Sequence, residues 1–346
     1  MSSGAQFKAQ QTPVFDPNAT SVTLAFFVRT KGQNGPMTSH VVVLGEALVD
    51  LIVTEESAVP HIGGGPLNTA RALARLGVPT AFVGGVSTDV FGKRIRAAMV
   101  ADGVRIDTVV GTEAPTTMAL VELDAAGAAS YRFYFEGTSV AACTPERATS
   151  AIETLLASGD EVCAVHVGTL ALVIEPAATA SEVLVNRCTD SALIMIDPNI
   201  RQVVLGDIRD VYLERLFRML PMADIVKVSD EDLAWIMPGV DLVEAAKSMV
   251  TKGSGAVLIT RGGDGITVVC SEGVVDVPAP KAEVVDTVGA GDTFAAGVLS
   301  WWLDHAQPSM LLLPNLVAAT ERGAAAAAIV VARAGANPPT RADLGL

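Results

Sequence analysis

The sequence lacks the marks of a metal-stapled, secreted or membrane-inserted protein. Its four cysteines stand at 143, 163, 188 and 270. None forms a C-x-x-C pair, so zinc-ribbon and thioredoxin-like readings have no signature to rest on. The four histidines, at 40, 61, 166 and 305, show no H-x-x-x-H spacing. No apolar run reaches the roughly 18 residues of a membrane span. The apolar stretch Leu24–Val28 is too short for a signal-peptide core. Reduced thiols and a cytoplasmic setting are therefore expected. Basic residues are scarce: Lys plus Arg is 24 against 38 Asp plus Glu, a formal charge of −14. An acidic surface repels phosphate backbones and anionic lipids, so neither nucleic-acid nor membrane binding is expected. An apolar half of the chain excludes disorder, and 31 Gly and 18 Pro without a period exclude a collagen-like fold.

A chain of 346 residues has room for two domains or one large α/β domain. Residues 1–39, mixed in Gln, Asn, Pro, Gly and Ser, read as a poorly ordered extension. The alternative is a segment that docks on a partner subunit. From residue 40 to 346 the pattern is regular. Short apolar strands are expected at Val41–Gly45, Ala81–Gly84, Val162–Gly168, Leu193–Asp197, Asp224–Ser229 and Ala256–Thr260. Helical spacing covers 67–76, 145–157, 176–188, 208–220, 230–237 and 241–251. Strands alternating with helices predict a doubly wound, mostly parallel sheet flanked by helices, an α/β fold. Leu48–Glu55 and Thr116–Glu136 break the alternation and read as consecutive strands, the latter a hairpin turning at Asp124–Gly127. They predict a small β lid, with an edge extension of the main sheet as the alternative. An apolar sheet this small is also expected to pair with a second copy, giving a homodimer through the lid.

Six segments carry candidate chemistry. In Asp286-Thr287-Val288-Gly289-Ala290-Gly291-Asp292-Thr293-Phe294 the small residues let backbone N–H groups approach a ligand. A helix starting near Asp292 would add its positive end, making an anion pocket suited to phosphate. Asp292 would then accept the proton of a substrate hydroxyl; the plainer reading is a helix cap. Gly63-Gly64-Gly65-Pro66-Leu67-Asn68 places bare backbone before a helix, and Asn68 can both donate to and accept from sugar hydroxyls. Gly45-Glu46-Ala47-Leu48-Val49-Asp50 and Asp197-Pro198-Asn199-Ile200-Arg201 follow buried strands, on the ligand-binding edge of such sheets. Lys227-Val228-Ser229-Asp230-Glu231-Asp232 brings acids that could order Mg²⁺ through water, with an N-cap at Ser229 as the plain alternative. Thr260-Arg261-Gly262-Gly263-Asp264-Gly265 fits beside nucleotide phosphates or ribose, or is simply a hairpin turn.

Together these segments resemble the ribokinase/PfkB family of carbohydrate kinases, whose two signatures look like Gly-Gly-x-x-x-Asn and Asp-Thr-x-Gly-Ala-Gly-Asp. The resemblance spans about residues 40–341 and implies a ribokinase-like fold and ATP-dependent phosphorylation of a sugar or nucleoside hydroxyl. It implies that Asp292 is the catalytic base and that Gly289, Ala290 and Gly291 form the anion hole. Asp50, Gly64, Gly65, Asn68 and Arg201 would bind the sugar. Lys227, Ser229, Thr260, Gly262 and Gly265 would lie on the nucleotide side. Asp232 would take part in Mg²⁺ binding, although Ser229 and Asp232 depart from the family's Asn-x-x-Glu. Asp286, Val288 and Gly335 resemble a monovalent-cation loop for K⁺. Gly-Glu-x-Leu-x-Asp, Gly-Gly-x-Pro-x-Asn, Asp-Pro-Asn-x-Arg and Lys-Val-Ser-x-Glu are most similar to fructokinases, with kinases for 2-keto-3-deoxygluconate, ribose or a nucleoside as alternatives. A non-catalytic sugar-binding regulator is the rival from outside enzymology, and the intact Gly-Ala-Gly-Asp argues against it.

Overall fold

The computed structural model describes residues 37–54, 56–123, 129–305 and 311–346. The extension expected over 1–39 lies outside them except for its last three residues, and Ser39 already opens the first strand. Along the described residues the strands are β1 (Ser39–Leu44), β2 (Leu48–Val53), β3 (Ala58–Gly63), β4 (Thr80–Val83), β5 (Gly85–Ser87), β6 (Val110–Thr112) and β7 (Thr117–Leu123). They continue as β8 (Ala129–Tyr134), β9 (Glu161–Gly168), β10 (Leu193–Asp197), β11 (Ile225–Ser229), β12 (Ala256–Thr260), β13 (Ile266–Cys270) and β14 (Gly273–Val277).

Eight strands form the main sheet in the order β14-β13-β12-β11-β10-β9-β1-β4. From β4 to β12 neighbours run parallel, and β13 and β14 turn back antiparallel at one edge. The chain is therefore the expected α/β protein. A parallel sheet is covered on both faces, so its strands must be apolar on both. Val41 and Val43 enter one core with the helices Gly65–Arg75 and Ala290–Asp304, while Val42 and Leu44 enter the other. The second core takes the helices Pro145–Ala157, Ala177–Cys188 and Arg209–Met219.

Among the elements that periodicity did not reveal, three show why. The helix Val90–Asp102 buries only Gly92, Ile95 and Met99, too narrow a stripe to stand out; the Asp89 carboxylate caps it, accepting the Gly92 N–H at 2.8 Å. β3 contains Pro60 and His61, which argue against a strand unless it lies at an edge, where it does lie. β14 alternates exposed and half-buried residues before the buried Val277.

A second sheet has the order β3-β2-β7-β8. It contains the observed forms of both strand segments expected to break the alternation, while Glu55 and the turn at 124–127 lie outside the described residues. Only Gly45, Glu46 and Ala47 separate β1 from β2, and β3 leads directly into the helix Gly65–Arg75. The second sheet thus hangs from the carboxyl end of β1, which is where the parallel strands present their polar residues.

The helices Ala290–Asp304 and Leu313–Val331 cross with backbone almost touching. A Cβ on Gly297 would stand 2.7 Å from Gly323 Cα, and one on Gly323 2.8 Å from the Phe294 carbonyl oxygen. Backbone cannot yield as a flexible side chain can. Gly297→Val is expected to cost about 1–3 kcal/mol through overpacking, read as a lowered thermal midpoint; an unchanged midpoint would refute this close crossing.

Candidate active site

Five polar segments leave the carboxyl ends of buried parallel strands. Gly45–Asp50 follows β1, Thr169 follows β9, Asp197–Arg201 closes β10, Lys227–Asp232 closes β11 and Thr260–Gly265 closes β12. Each strand is anchored by burial, so its last residues are delivered to one edge with little freedom.

The helix Ala290–Asp304 meets this edge by its N-terminus. Gly289 precedes it with φ 76°, a left-handed conformation suited to glycine, and no side chain caps the end. Backbone N–H groups and the positive helix end together favour an anion here. The helix begins two residues earlier than expected, so Asp292 lies in its first turn and is not the cap.

Asp292 is buried, 7% exposed. The Asn68 amide Nδ2 donates to its Oδ2 at 3.0 Å across 224 residues of sequence. Burial pushes the Asp292 pKa up to about 6 and Asp197 adds to the push, while the Asn68 hydrogen bond, Lys227 and Arg201 oppose it. Gly65 lies beneath a point of convergence. A Cβ there would stand 2.7 Å from Thr169 Oγ1 and 3.1 Å from both Asn199 Nδ2 and Asp292 Oδ1. Only glycine keeps that space open.

Thr169 and Asn199 have φ 55° and 39°, the left-handed region that side chains other than glycine's avoid. Such strain persists where surroundings over-determine it, and it clusters at functional sites. Here Asn199 Nδ2 donates to Thr169 Oγ1 at 3.1 Å, and the Arg201 guanidinium donates to Asn199 Oδ1 at 2.8 Å. In the sequence Asn199 stands within a candidate segment with no role of its own, and Thr169 carries no mark. Their position immediately after a buried strand was the available signal.

Asp50 leans over Gly63, where a Cβ would fall 1.9 Å from Asp50 Oδ2. Burial raises the Asp50 pKa to about 6 against the pull of Arg201. Gly64, with φ 109°, lies against the Glu46 carbonyl. Glu46 itself is fully buried, and burial above all lifts its pKa to about 8, with Asp292 pushing the same way against Arg201. Asp50, Gly64, Gly65, Asn68 and Arg201 thus share one neighbourhood with Asp292.

The residues expected on the nucleotide side divide. Ser229 Oγ accepts the Asp232 N–H at 3.0 Å, the capping role held as the plain alternative. Thr260 pairs with Ser229 between β11 and β12. Gly262 and Gly265 take φ 52° and 92° in the turn that joins β12 to β13, and a Cβ on Gly262 would meet nothing within 4 Å. Lys227 stands apart from this open turn. Its buried ammonium donates to Asp197 Oδ2 at 2.9 Å. Two groups bear on ions. Asp286 Oδ1 accepts the Val288 N–H at 3.0 Å and Oδ2 the Gly335 N–H at 2.8 Å, which gathers the three residues expected at a monovalent cation. Asp232 Oδ1 accepts the Ile200 N–H at 3.3 Å, and no trio of metal-ligating side chains forms among the described residues.

The sequence pattern described as pfkB family carbohydrate kinase matches residues 38–343. The chain belongs to this family. This carbohydrate kinase is 38% identical over 261 residues to a fructokinase of Rhizobium leguminosarum bv. trifolii, covering 74% of this chain and 77% of that one. Its fold matches fructokinase with bound ATP from Xylella fastidiosa at TM-score 0.80 and 24% identity, covering 88% and 97% of the two chains. It also matches a fructokinase double mutant from Vibrio cholerae O395, in a fructose, ADP and potassium ion bound form. There the TM-score is 0.78 at 22% identity, with 90% and 98% covered.

A pH dependence follows from the two raised carboxyls. A base at Asp292 and a hydroxyl acceptor at Asp50, the roles expected of them from the sequence, would both have to be ionised, and burial raises both pKa values to about 6. For sugar phosphorylation, kcat/KM should be level from about one pH unit above these values and fall as pH drops through about 6, its acid limb approaching a slope of two protons. A plateau extending down to pH 4.5 would contradict these assignments.

Proposed function

We propose that this carbohydrate kinase is an ATP-dependent fructokinase, transferring the γ-phosphoryl group of ATP to a hydroxyl of fructose. The observation that carries the reading is Asp292: a buried carboxylate held by Asn68 at 3.0 Å, in the first turn of a helix that no side chain caps. The names of its relatives support fructose as the acceptor.

The geometry divides the labour. Asn68 spends its Nδ2 on Asp292 and leaves its buried Oδ1 without a protein partner, an acceptor for a sugar hydroxyl. Asp50 accepts further hydroxyls, with Arg201 beside it. The attacking hydroxyl passes its proton to Asp292 as its oxygen bonds to phosphorus. The Gly289–Gly291 backbone faces the charge gathering on the phosphoryl oxygens, where preorganised donors count most. Phosphoryl transfer needs alignment and charge stabilisation more than covalent help, which suits so sparse a set of groups.

Ser229, Thr260, Gly262 and Gly265 border the nucleotide, and the open turn at Gly262 leaves it room. Mg²⁺ arrives with the ATP phosphates as part of the substrate and keeps most of its waters. Asp232, already bonded to Ile200, fits a water-mediated contact to it. The Asp286, Val288 and Gly335 cluster fits a K⁺ that steadies the anion-hole loop. The second sheet acts as a lid over the sugar, excluding water. Its edge strand β3, with Val59 46% exposed, is the surface for a lid-to-lid homodimer in the cytoplasm. Sedimentation at micromolar concentration reads that state, and a monomer would remove it.

Asp292→Asn keeps the shape and loses the base. Turnover should fall by roughly 10²–10⁴-fold while sugar and ATP binding stay near the parent's; a variant above a tenth of the parent rate would deny Asp292 the role. In a panel of fructose, ribose, 2-keto-3-deoxygluconate, glucose and adenosine, followed by ADP release in K⁺ and in Na⁺, fructose with K⁺ should turn over fastest. Another acceptor turning over faster would refute fructose, and equal rates in both salts would refute the cation.

A further inference from the structure

Among the described residues, Lys227 is the one buried lysine. Its side chain is 6% exposed and that of its partner Asp197 2%. The second Asp197 oxygen, also buried, has no protein partner. A buried ion pair is a poor device for stability, because desolvating two charges consumes most of what their attraction returns. Something other than stability explains it here.

The position of the ammonium supplies the explanation. A Cβ on Gly291 would stand 2.7 Å from Lys227 Nζ. The ammonium therefore lies against the residue next to Asp292, under the helix end that no side chain caps. An ammonium offers three donors, and one is spent on Asp197. Asp292 and Asp232 carry the other charges that act on it.

We propose that Lys227 is a catalytic residue whose ammonium, held in place by Asp197, donates to a non-bridging oxygen of the phosphoryl group in transit, and that Gly291 is small to leave it that path. The inference rests on the phosphoryl-transfer reading above and adds a positive charge to the anion hole. The sugar oxygen bonds to phosphorus, the bond from phosphorus to the bridging oxygen of ADP breaks, and the hydroxyl proton goes to Asp292. Lys227 keeps all its protons. It acts by charge and hydrogen bonding, and Asp197 is its positioning residue.

Three variants test it. Lys227→Met keeps length and removes charge. The double variant Lys227→Met/Asp197→Asn removes both charges, so that no buried carboxylate is left unpaired. Lys227→Arg restores a cation. In the full chain, both charge-removing variants should lose about 10²–10³-fold in kcat, the scale for deleting one transition-state donor, with sugar KM within about threefold and the double variant's thermal midpoint close to the parent's. Lys227→Arg should recover part of the loss. A second readout needs no sugar turnover. The parent should bind ADP, Mg²⁺ and fluoroaluminate, a mimic of the moving group, at least tenfold more tightly than ADP with Mg²⁺ alone. Lys227→Met should lose that increment and keep its ADP affinity. A folded double variant with more than a third of the parent kcat, or fluoroaluminate binding unchanged by the substitution or never tighter than ADP alone, would overturn the proposal. A parent inactive on every sugar but showing the Lys227-dependent increment would refute the substrate reading and leave the ammonium in place.

Discussion

The hydrogen bond from Asn68 to Asp292 is the contact on which the rest of the site depends. It ties the first turn of the helix Gly65–Arg75 to that of Ala290–Asp304, helices also packed together in one core. A carboxylate this buried would be neutral in the resting protein without opposing help. Asn68, Lys227 and Arg201 hold its pKa near 6, low enough to stay ionised at neutral pH and high enough to accept a proton. Burial and its compensation together suit Asp292 to the role of base proposed for it.

The scaffold makes that compensation possible. Strands buried on both faces cannot slide, so the groups at their carboxyl ends are positioned by the core. Asp197 closes β10, Lys227 belongs to β11 and Thr169 follows β9. The strained backbones of Thr169 and Asn199 persist because hydrogen bonds among Thr169, Asn199 and Arg201 hold them. The second sheet is fastened to the same edge through Gly45–Ala47 and the glycines before Pro66, and this brings Asp50 over the site.

The site is also marked by its glycines, each for a separate reason. Gly65 clears a space where three polar groups converge, Gly289 turns the chain into a helix through a left-handed residue, and Gly291 gives way to an ammonium. Alanine at Gly65 or Gly291 would meet a side chain that already has a task, and at Gly289 it would strain a left-handed backbone.

Much of this was legible in the sequence. Alternating apolar strands and helices determined the α/β class, because burial on both faces demands continuous apolar runs such as Leu193–Asp197. The pair Gly64-x-x-x-Asn68 and Gly289-Ala290-Gly291-Asp292 pointed to the proposed phosphoryl site, because backbone that must approach an anion can carry little side chain. Periodicity could not show the edge strands β3 and β14, whose half-exposed residues carry no strong pattern. Nor could it show that Lys227, in a segment that looks like a helix cap, turns inward to Asp197 and Gly291. It did not single out Thr169, or Glu46 as a fully buried acid. Those facts belong to the tertiary structure, because a buried charge is defined by neighbours that come from distant parts of the chain. Asn68 and Asp292 are individually visible in the sequence, but only the fold places one 3.0 Å from the other.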